Sequence, residues 1–155
     1  MTQLSCKARY ALRALYALSA EDARGPVLIA DIAEREKIPR KFLEAILLEL
    51  KNAGILKSKK GKGGGYALAR SPEQITIGQA IRIIDGPLAP IPCASERAFV
   101  KCEECVDEAT CGTRQVMKKV RDAIAGILDS TTLADVQEQI ARARFSGGTP
   151  LTYSI

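Results

Sequence analysis

Four cysteines fall within one polar stretch, CASERAFVKCEECVDEATC: Cys93, Cys102, Cys105 and Cys111, spaced Cys-x8-Cys-x2-Cys-x5-Cys. Thiolates are soft donors that favour zinc, copper(I) or iron–sulfur clusters. The Cys-x2-Cys pair fits zinc ribbons and clusters alike. Zinc fingers bring a second tight pair or histidines. Here the other two thiols are spread out, and the chain has no histidine. A cluster tolerates wider spacing, because its irons are well separated. A redox thiol switch or a disulfide pair is the competing chemistry. The fifth cysteine, Cys6, lies far from the others in sequence and is expected to be a small buried apolar residue.

Other chemistries find little support. Without histidine the usual general base is missing, and no Ser/Asp constellation stands out. A Cys-x2-Cys oxidoreductase motif sits at a helix N-terminus after a strand, and no βαβ pattern surrounds this one. The chain is therefore expected not to be an enzyme and to take no small-molecule substrate.

The elements around the thiols set their context. The chain has 155 residues, 46% of them hydrophobic and 26% charged, which suits a soluble globular protein of one domain, or of a small domain with an appendage. No apolar run reaches the ~18 residues of a membrane span. The N-terminal MTQLSCKARYALRALYALSA threads a lysine and two arginines through its apolar residues, unlike a signal peptide. A cytoplasmic location without a membrane partner follows, and structural disulfides are rare there. The net charge of +5 is uneven: residues 1–71 hold fourteen Lys/Arg against seven Asp/Glu, and residues 72–155 nine against eleven. The basic half is where a polyanion would bind.

Apolar side chains at nearly every helical face, Ala8, Ala11, Leu12, Leu15, Tyr16 and Leu18, predict a long, mostly buried first helix over Ser5–Ala20 with Ser5 as its cap. Gly25–Pro26 breaks the chain. A second helix over 27–38 has Leu28, Ile29, Ile32 and Ala33 on one stripe, and Ile38–Pro39 ends it. Pro39 suits the first turn of a third helix. That helix carries Phe42, Leu43, Ile46, Leu47 and Leu50, and Gly54 stops it. Ile55–Leu56 and Tyr66–Leu68 start two short strands around the glycine-rich tip GKGGG, a β-hairpin. Ile77, Ala80, Ile81 and Ile84 face inward on a fourth helix closed by Gly86–Pro87. Beyond the cysteines the chain is helical again, interrupted at Asp129–Thr132.

The expected fold is mainly α with a small β-hairpin wing: a winged helix-turn-helix followed by a long C-terminal helix. The expected organisation is a DNA-binding domain over 1–86, a cysteine-rich cluster-binding loop over 87–112, dimerisation helices over 113–145 and a disordered tail over 146–155. The third helix would enter a major groove with its N-terminal residues, Arg40, Lys41, Phe42 and Glu44. A carboxylate such as Glu44 can accept from a cytosine amino group. Lys57, Lys59, Lys60 and Lys62 on the wing can follow the backbone or dip into the minor groove, and Arg9 on the first helix adds a cation. The GKGGG tip lacks the G-x-x-x-x-G-K-[ST] pattern of a nucleotide loop.

The segments SCKARYALRALYALS, FLEAILLELKNAGILKS, KGKGGGYALARSPEQITIGQAIRIIDGP and LDSTTLADV resemble the family of winged-helix regulators that includes IscR, NsrR and CymR. The resemblance covers roughly residues 3–140 and is closest to the cysteine-bearing iron–sulfur sensors. It implies a homodimer on a pseudo-palindromic double-stranded DNA operator. It also implies that the helix from about Thr113 packs against its partner's copy, and the stripe Val116, Val120, Ile124 and Ile127 suits that seam.

Sensor members hold a 2Fe–2S or 4Fe–4S cluster through three cysteines after the IDGP helix. Cys93 matches the first position, and Cys105-x5-Cys111 matches the last two. The gap after Cys93 is longer than usual, and the insertion carries Cys102. Where IscR-like members have a histidine ligand this chain has Arg114, which stays protonated and cannot ligate. Cys102 is the natural substitute, giving an all-cysteine site. The resemblance thus implies a regulator sensing iron–sulfur, redox or nitric oxide status. The alternatives are a cluster-free thiol-redox or zinc-bearing regulator of cysteine and sulfur metabolism genes, or a winged-helix protein-interaction adaptor.

Overall fold

The computed structural model describes residues 4–145. The expected tail over 146–155 lies outside the described residues. Six α-helices and one two-stranded hairpin occur among them, as the expected winged-helix fold requires.

Helix α1 (Cys6–Ala20) is the central element. The Ser5 hydroxyl caps it, accepting from the Ala8 N–H at 2.9 Å. Small and branched side chains on most of its faces let other helices approach closely: Ala8, Ala11, Ala14, Leu15 and Leu18 are all buried.

Helices α2 (Ile29–Glu36) and α3 (Arg40–Asn52) follow. Lys37 closes α2 in a left-handed conformation, φ 50°. Two boundaries differ from expectation. Leu28 is the extended N-cap of α2 and 53% exposed, so it leaves the predicted inward stripe; Ile32 alone on α2 is fully buried. Pro39 is the N-cap of α3 rather than part of its first turn. Leu43, Ile46, Leu47 and Leu50 of α3 are completely buried, whereas Phe42, grouped with them by spacing, is 62% exposed. Gly54, φ 75°, sits just past the end of α3.

Strands β1 (Leu56–Lys59) and β2 (Gly65–Leu68) pair antiparallel, Leu56 opposite Leu68 and Lys59 opposite Gly65. Ile55 precedes β1 rather than starting it. Val27, just ahead of α2, exchanges two 2.8 Å backbone hydrogen bonds with Tyr66 and ties the wing to the helix-turn-helix. That approach explains Gly65, where a Cβ would lie 2.2 Å from the Val27 oxygen; at Gly64 the hairpin's own backbone intervenes, with a Cβ lying 2.3 Å from the Lys59 oxygen.

Helix α4 (Ile77–Asp85) opens on a capping box of Thr76 and Gln79. Ile77, Ala80 and Ile81 are buried; Ile84 is half-buried at the margin of the core. The Asp85 carboxylate accepts from the Ser5 backbone N–H at 3.0 Å and from its hydroxyl, joining the end of α4 to the start of α1.

The thiol loop leads into α5 (Gly112–Ser130), and α6 (Leu133–Phe145) turns back onto the domain. Leu133 is fully buried and its N–H donates to the Ile75 oxygen, while Gln137 donates to the Tyr16 oxygen at 2.8 Å. This sends α6 back to its own chain and leaves α5 as the helix with an uncovered face.

Candidate nucleic-acid interface and thiol loop

The turn between α2 and α3 is three residues long, with Ile38 as its buried anchor. It presents the start of α3 to solvent: Arg40, Lys41, Phe42 and Glu44 are all exposed. Arg40 Nε donates to Glu44 Oε1 at 3.1 Å, one turn along the helix. Glu44 is therefore already paired with the arginine beside it. Exposed Phe42 next to exposed Lys41 puts an apolar plate and a cation at the leading edge. Lys57, Lys59, Lys60 and Lys62 are exposed along β1 and the wing tip, and Arg9 is exposed on α1.

The thiol loop begins in a short 3-10 turn, Pro92–Ala94, which buries Cys93 to 4% exposure. Cys102, nine residues on, is exposed, and its thiol donates to Cys93 Sγ at 3.5 Å. That bond, then burial, then the charges of Cys93 and Cys111 push the Cys102 thiol pKa above its ordinary value. Cys105 is half-exposed and is linked to Cys102 only through the backbone, its N–H donating to the Cys102 oxygen at 3.2 Å.

Cys111 is set by the turn before it. Asp107 accepts from the Ala109 N–H at 3.1 Å and from the Thr110 hydroxyl at 2.6 Å, and the hydroxyl bond holds its carboxyl below the usual range. Cys111 then caps α5, its sulfur accepting from the Arg114 N–H at 3.5 Å. Among the described residues no three Cys, His, Asp or Glu side chains converge into a metal cage. The donor set is nonetheless all thiol, with two sulfurs adjacent and a third within electrostatic reach. Its chemistry fits a soft metal or an iron–sulfur cluster.

Two arginines clamp this loop. Arg114 Nε donates to the Cys93 oxygen at 2.9 Å, and its guanidinium lies over the Phe99 ring, 5.5 Å from the centroid. Arg121 donates to the Ala94 oxygen at 2.6 Å and pairs with Glu96 and Asp122. The two lie seven residues apart on one face of α5, and together they fasten the 3-10 turn to the helix. In the sequence Arg114 stands only where a ligand is missing, and nothing singles out Arg121. Their spacing by two helical turns was the available signal.

A second tie joins α5 to α4. Arg82 donates to both oxygens of Asp129, at 2.5 and 2.8 Å, which lowers the Asp129 pKa and raises that of Arg82. Gly78 makes room, because a Cβ there would lie 2.0 Å from Asp129 Oδ1.

The rest of α5 looks outward. Val116, Val120 and Ile127 are 54%, 38% and 67% exposed. Ile124, grouped with them by sequence, is half-buried against the chain's own core. Cys6, expected to be buried, is exposed in the first turn of α1. It bonds with the Tyr10 hydroxyl, which raises the Tyr10 pKa. The core face of α1 begins only at Ala8, so Cys6 falls outside it.

A buried helical core, a tight α2–α3 turn and a basic hairpin beside it define a winged helix-turn-helix protein. Residues 4–139 match the Rrf2 family, described as iron-dependent transcriptional regulators, and the chain belongs to that family. It is 42% identical over 133 residues to an rrf2-like HTH-type transcriptional regulator of Rhodobacter capsulatus, covering 84% of this chain and 89% of the relative. Among solved structures it is similar to CymR, the global cysteine regulator of B. subtilis, with TM-score 0.74, 34% identity, and coverage of 90% and 98% of the two chains. It is equally similar to T. potens IscR, with TM-score 0.75, 32% identity, and coverage of 94% and 93%. The chain is a transcriptional regulator of this type, and its relatives are named as regulators rather than enzymes.

Proposed function

We propose that this chain is a cytoplasmic, homodimeric DNA-binding regulator whose grip on its operator is set by an iron–sulfur cluster held by Cys93, Cys102, Cys105 and Cys111. The observation that carries this reading is the clamp: Arg114 and Arg121 fasten the thiol loop to the same α5 whose opposite face is apolar and exposed. Whatever orders or frees the loop acts on the base of that helix.

When bound, the cluster supplies a sulfur-held inorganic core whose stability and charge respond to iron supply, oxidants and nitric oxide. The chain's residues do the rest. Val116, Val120 and Ile127 meet their counterparts in a second copy. Arg82 and Asp129 transmit the position of α5 to α4 and so to the winged domain. Arg40, Lys41, Phe42 and Glu44 approach the major groove, and Lys57, Lys59, Lys60 and Lys62 follow the phosphates, with Arg9 beside them. Two recognition helices must meet half-sites about 34–36 Å apart, so a small change in how two α5 helices cross decides whether both half-sites are engaged. Regulation then requires different DNA affinities in the two loop states.

The test is operator binding by metal-free protein against anaerobically reconstituted protein, with iron and sulfide counted in the same samples. We expect stoichiometric iron and sulfide and an affinity difference of about 5–150-fold. Equal affinities would overturn the switch, and a colourless, zinc-bearing protein would overturn the cofactor.

A second reading is a cluster-free, thiol-based regulator of cysteine and sulfur metabolism genes. The Cys93–Cys102 sulfur contact favours it, as does the likeness to CymR.

A further inference from the structure

We infer that Cys102 and Cys93 are an entry and a resolving thiol for low-molecular-weight disulfides, closing into an intramolecular disulfide. The inference rests on the reading of the loop as the regulatory site for its consequence, but its chemistry requires neither cluster nor DNA.

Three observations carry it. First, the two sulfurs are 3.5 Å apart, and among the described residues theirs is the one sulfur–sulfur hydrogen bond. A disulfide needs about 2.05 Å, so the sulfurs must close by about 1.5 Å, with the exposed Cys102 as the side free to move. Second, their accessibilities are opposite. Cys102 is exposed and reachable by a small disulfide, whereas Cys93 at 4% exposure is not. An order of attack is thereby built in. Third, the buried partner is held still. The oxygens of Cys93 and of Ala94 accept from Arg114 and Arg121, so Cys93 waits beside Cys102 instead of swinging to solvent. The other two thiols are placed differently: Cys111 Sγ caps α5, and Cys105 meets Cys102 only through the backbone.

The small disulfide is the electron acceptor, and the exchange balances with it alone. Cys102 gives up its proton and its sulfur attacks one sulfur of the small disulfide. A mixed disulfide forms, the original S–S bond breaks, and one small thiol leaves with the proton. Cys93 then gives up its proton and attacks Cys102 Sγ. The protein disulfide forms and the second small thiol leaves. Two protein thiols are oxidised, and one small disulfide is reduced to two thiols. The product withdraws two of the four sulfurs proposed for the cluster, so cluster loading and this disulfide exclude each other.

The experiment uses the full-length, metal-free protein with oxidised glutathione as the probe, read by thiol titration and by mass-spectrometric mapping. Beyond any glutathione taken up by exposed Cys6, Cys93 and Cys102 should be lost together, and the linked peptides should contain these two. In Cys93→Ser, glutathione should stay on Cys102. In Cys102→Ser, whose side chain is exposed and whose fold is therefore safe, buried Cys93 should keep its thiol, with no linked peptide containing it. A link between Cys105 and Cys111, glutathione retained on Cys102 of the native chain, or a Cys102→Ser protein in which Cys93 reacts as fast as in native would each overturn the inference. Failure of the cluster proposal shows separately, in the iron and sulfide counts.

Discussion

Arg114 Nε reaches back twenty-one residues to the Cys93 oxygen at 2.9 Å. The residue that cannot be a ligand thereby holds a candidate ligand in place. Charge-assisted hydrogen bonds of this kind contribute about 1.5–3 kcal/mol, and the contact with Phe99 adds about 0.5–1 kcal/mol. Arg114→Ala should raise amide exchange across residues 92–111 while α1, α3 and α4 keep their protection, because the winged core does not depend on the loop. Exchange measured by mass spectrometry checks this; unchanged exchange in the loop would contradict the clamp.

Gly65 carries both a positive φ, 139°, and a close approach to the Val27 oxygen. Gly65→Ala should therefore cost at least about 1–3 kcal/mol or detach the wing from the α2 entry. Denaturant unfolding gives the first outcome, and increased exchange at Val27 and Tyr66 the second. A variant as stable as native, with both amides still protected, would show that the approach is not tight.

Stability should depend on pH through Asp129. Its folded pKa lies below its unfolded value, first through the hydrogen bonds from Arg82 and then through the guanidinium charge. The stabilisation is present above the unfolded value of about 3.9 and is lost as pH falls through the lower folded value. Because the pair is partly exposed, it contributes at most about 1 kcal/mol. Arg82→Ala should be less stable than native at neutral pH, with the gap closing in acid; urea titrations at both pH values test it. Gly78→Ala should mimic the loss by pushing Asp129 aside.

The wing lysines are exposed and unneeded by the core. Combined Lys59→Ala, Lys60→Ala and Lys62→Ala should leave thermal unfolding within a degree or so. Each phosphate contact removed should flatten the salt dependence of DNA binding by roughly 0.9 in log–log slope. An unchanged slope would place the wing away from DNA.

Val120 and Ile127 face away from the chain's own core. Val120→Asp with Ile127→Asp should therefore halve the molar mass seen by light scattering while helicity is kept. A native mass for the variant would move the dimer seam elsewhere.

Periodicity located the helices here because burial has a fixed pitch along a helix. Leu43, Ile46, Leu47 and Leu50 were readable as one inward face, and Ser5 as a cap, from side-chain type alone. Leu28 and Phe42 escaped this logic. Leu28 lies at the extended residue before the helix, where the pitch does not yet apply, and Phe42 lies one position off the buried face. Ile124 packs partly on the chain's own core, because α5 has two apolar stripes and spacing cannot say which one the chain covers with itself. Cys6 was misjudged because composition gives no direction to a side chain in a first turn.

The sequence by itself determined the class of this protein: helix, helix, turn, helix and basic hairpin in order, a charge asymmetry matched to a polyanion, and four thiols of one chemical kind. These are local properties, written in residue types and their spacing. Only the tertiary structure decided which thiols meet, that Arg114 and Arg121 hold the loop, and that Gly78 leaves room for Asp129. Those contacts join residues 9, 21, 27 and 51 positions apart. No periodicity encodes such pairs, because their separation is set by how whole helices pack.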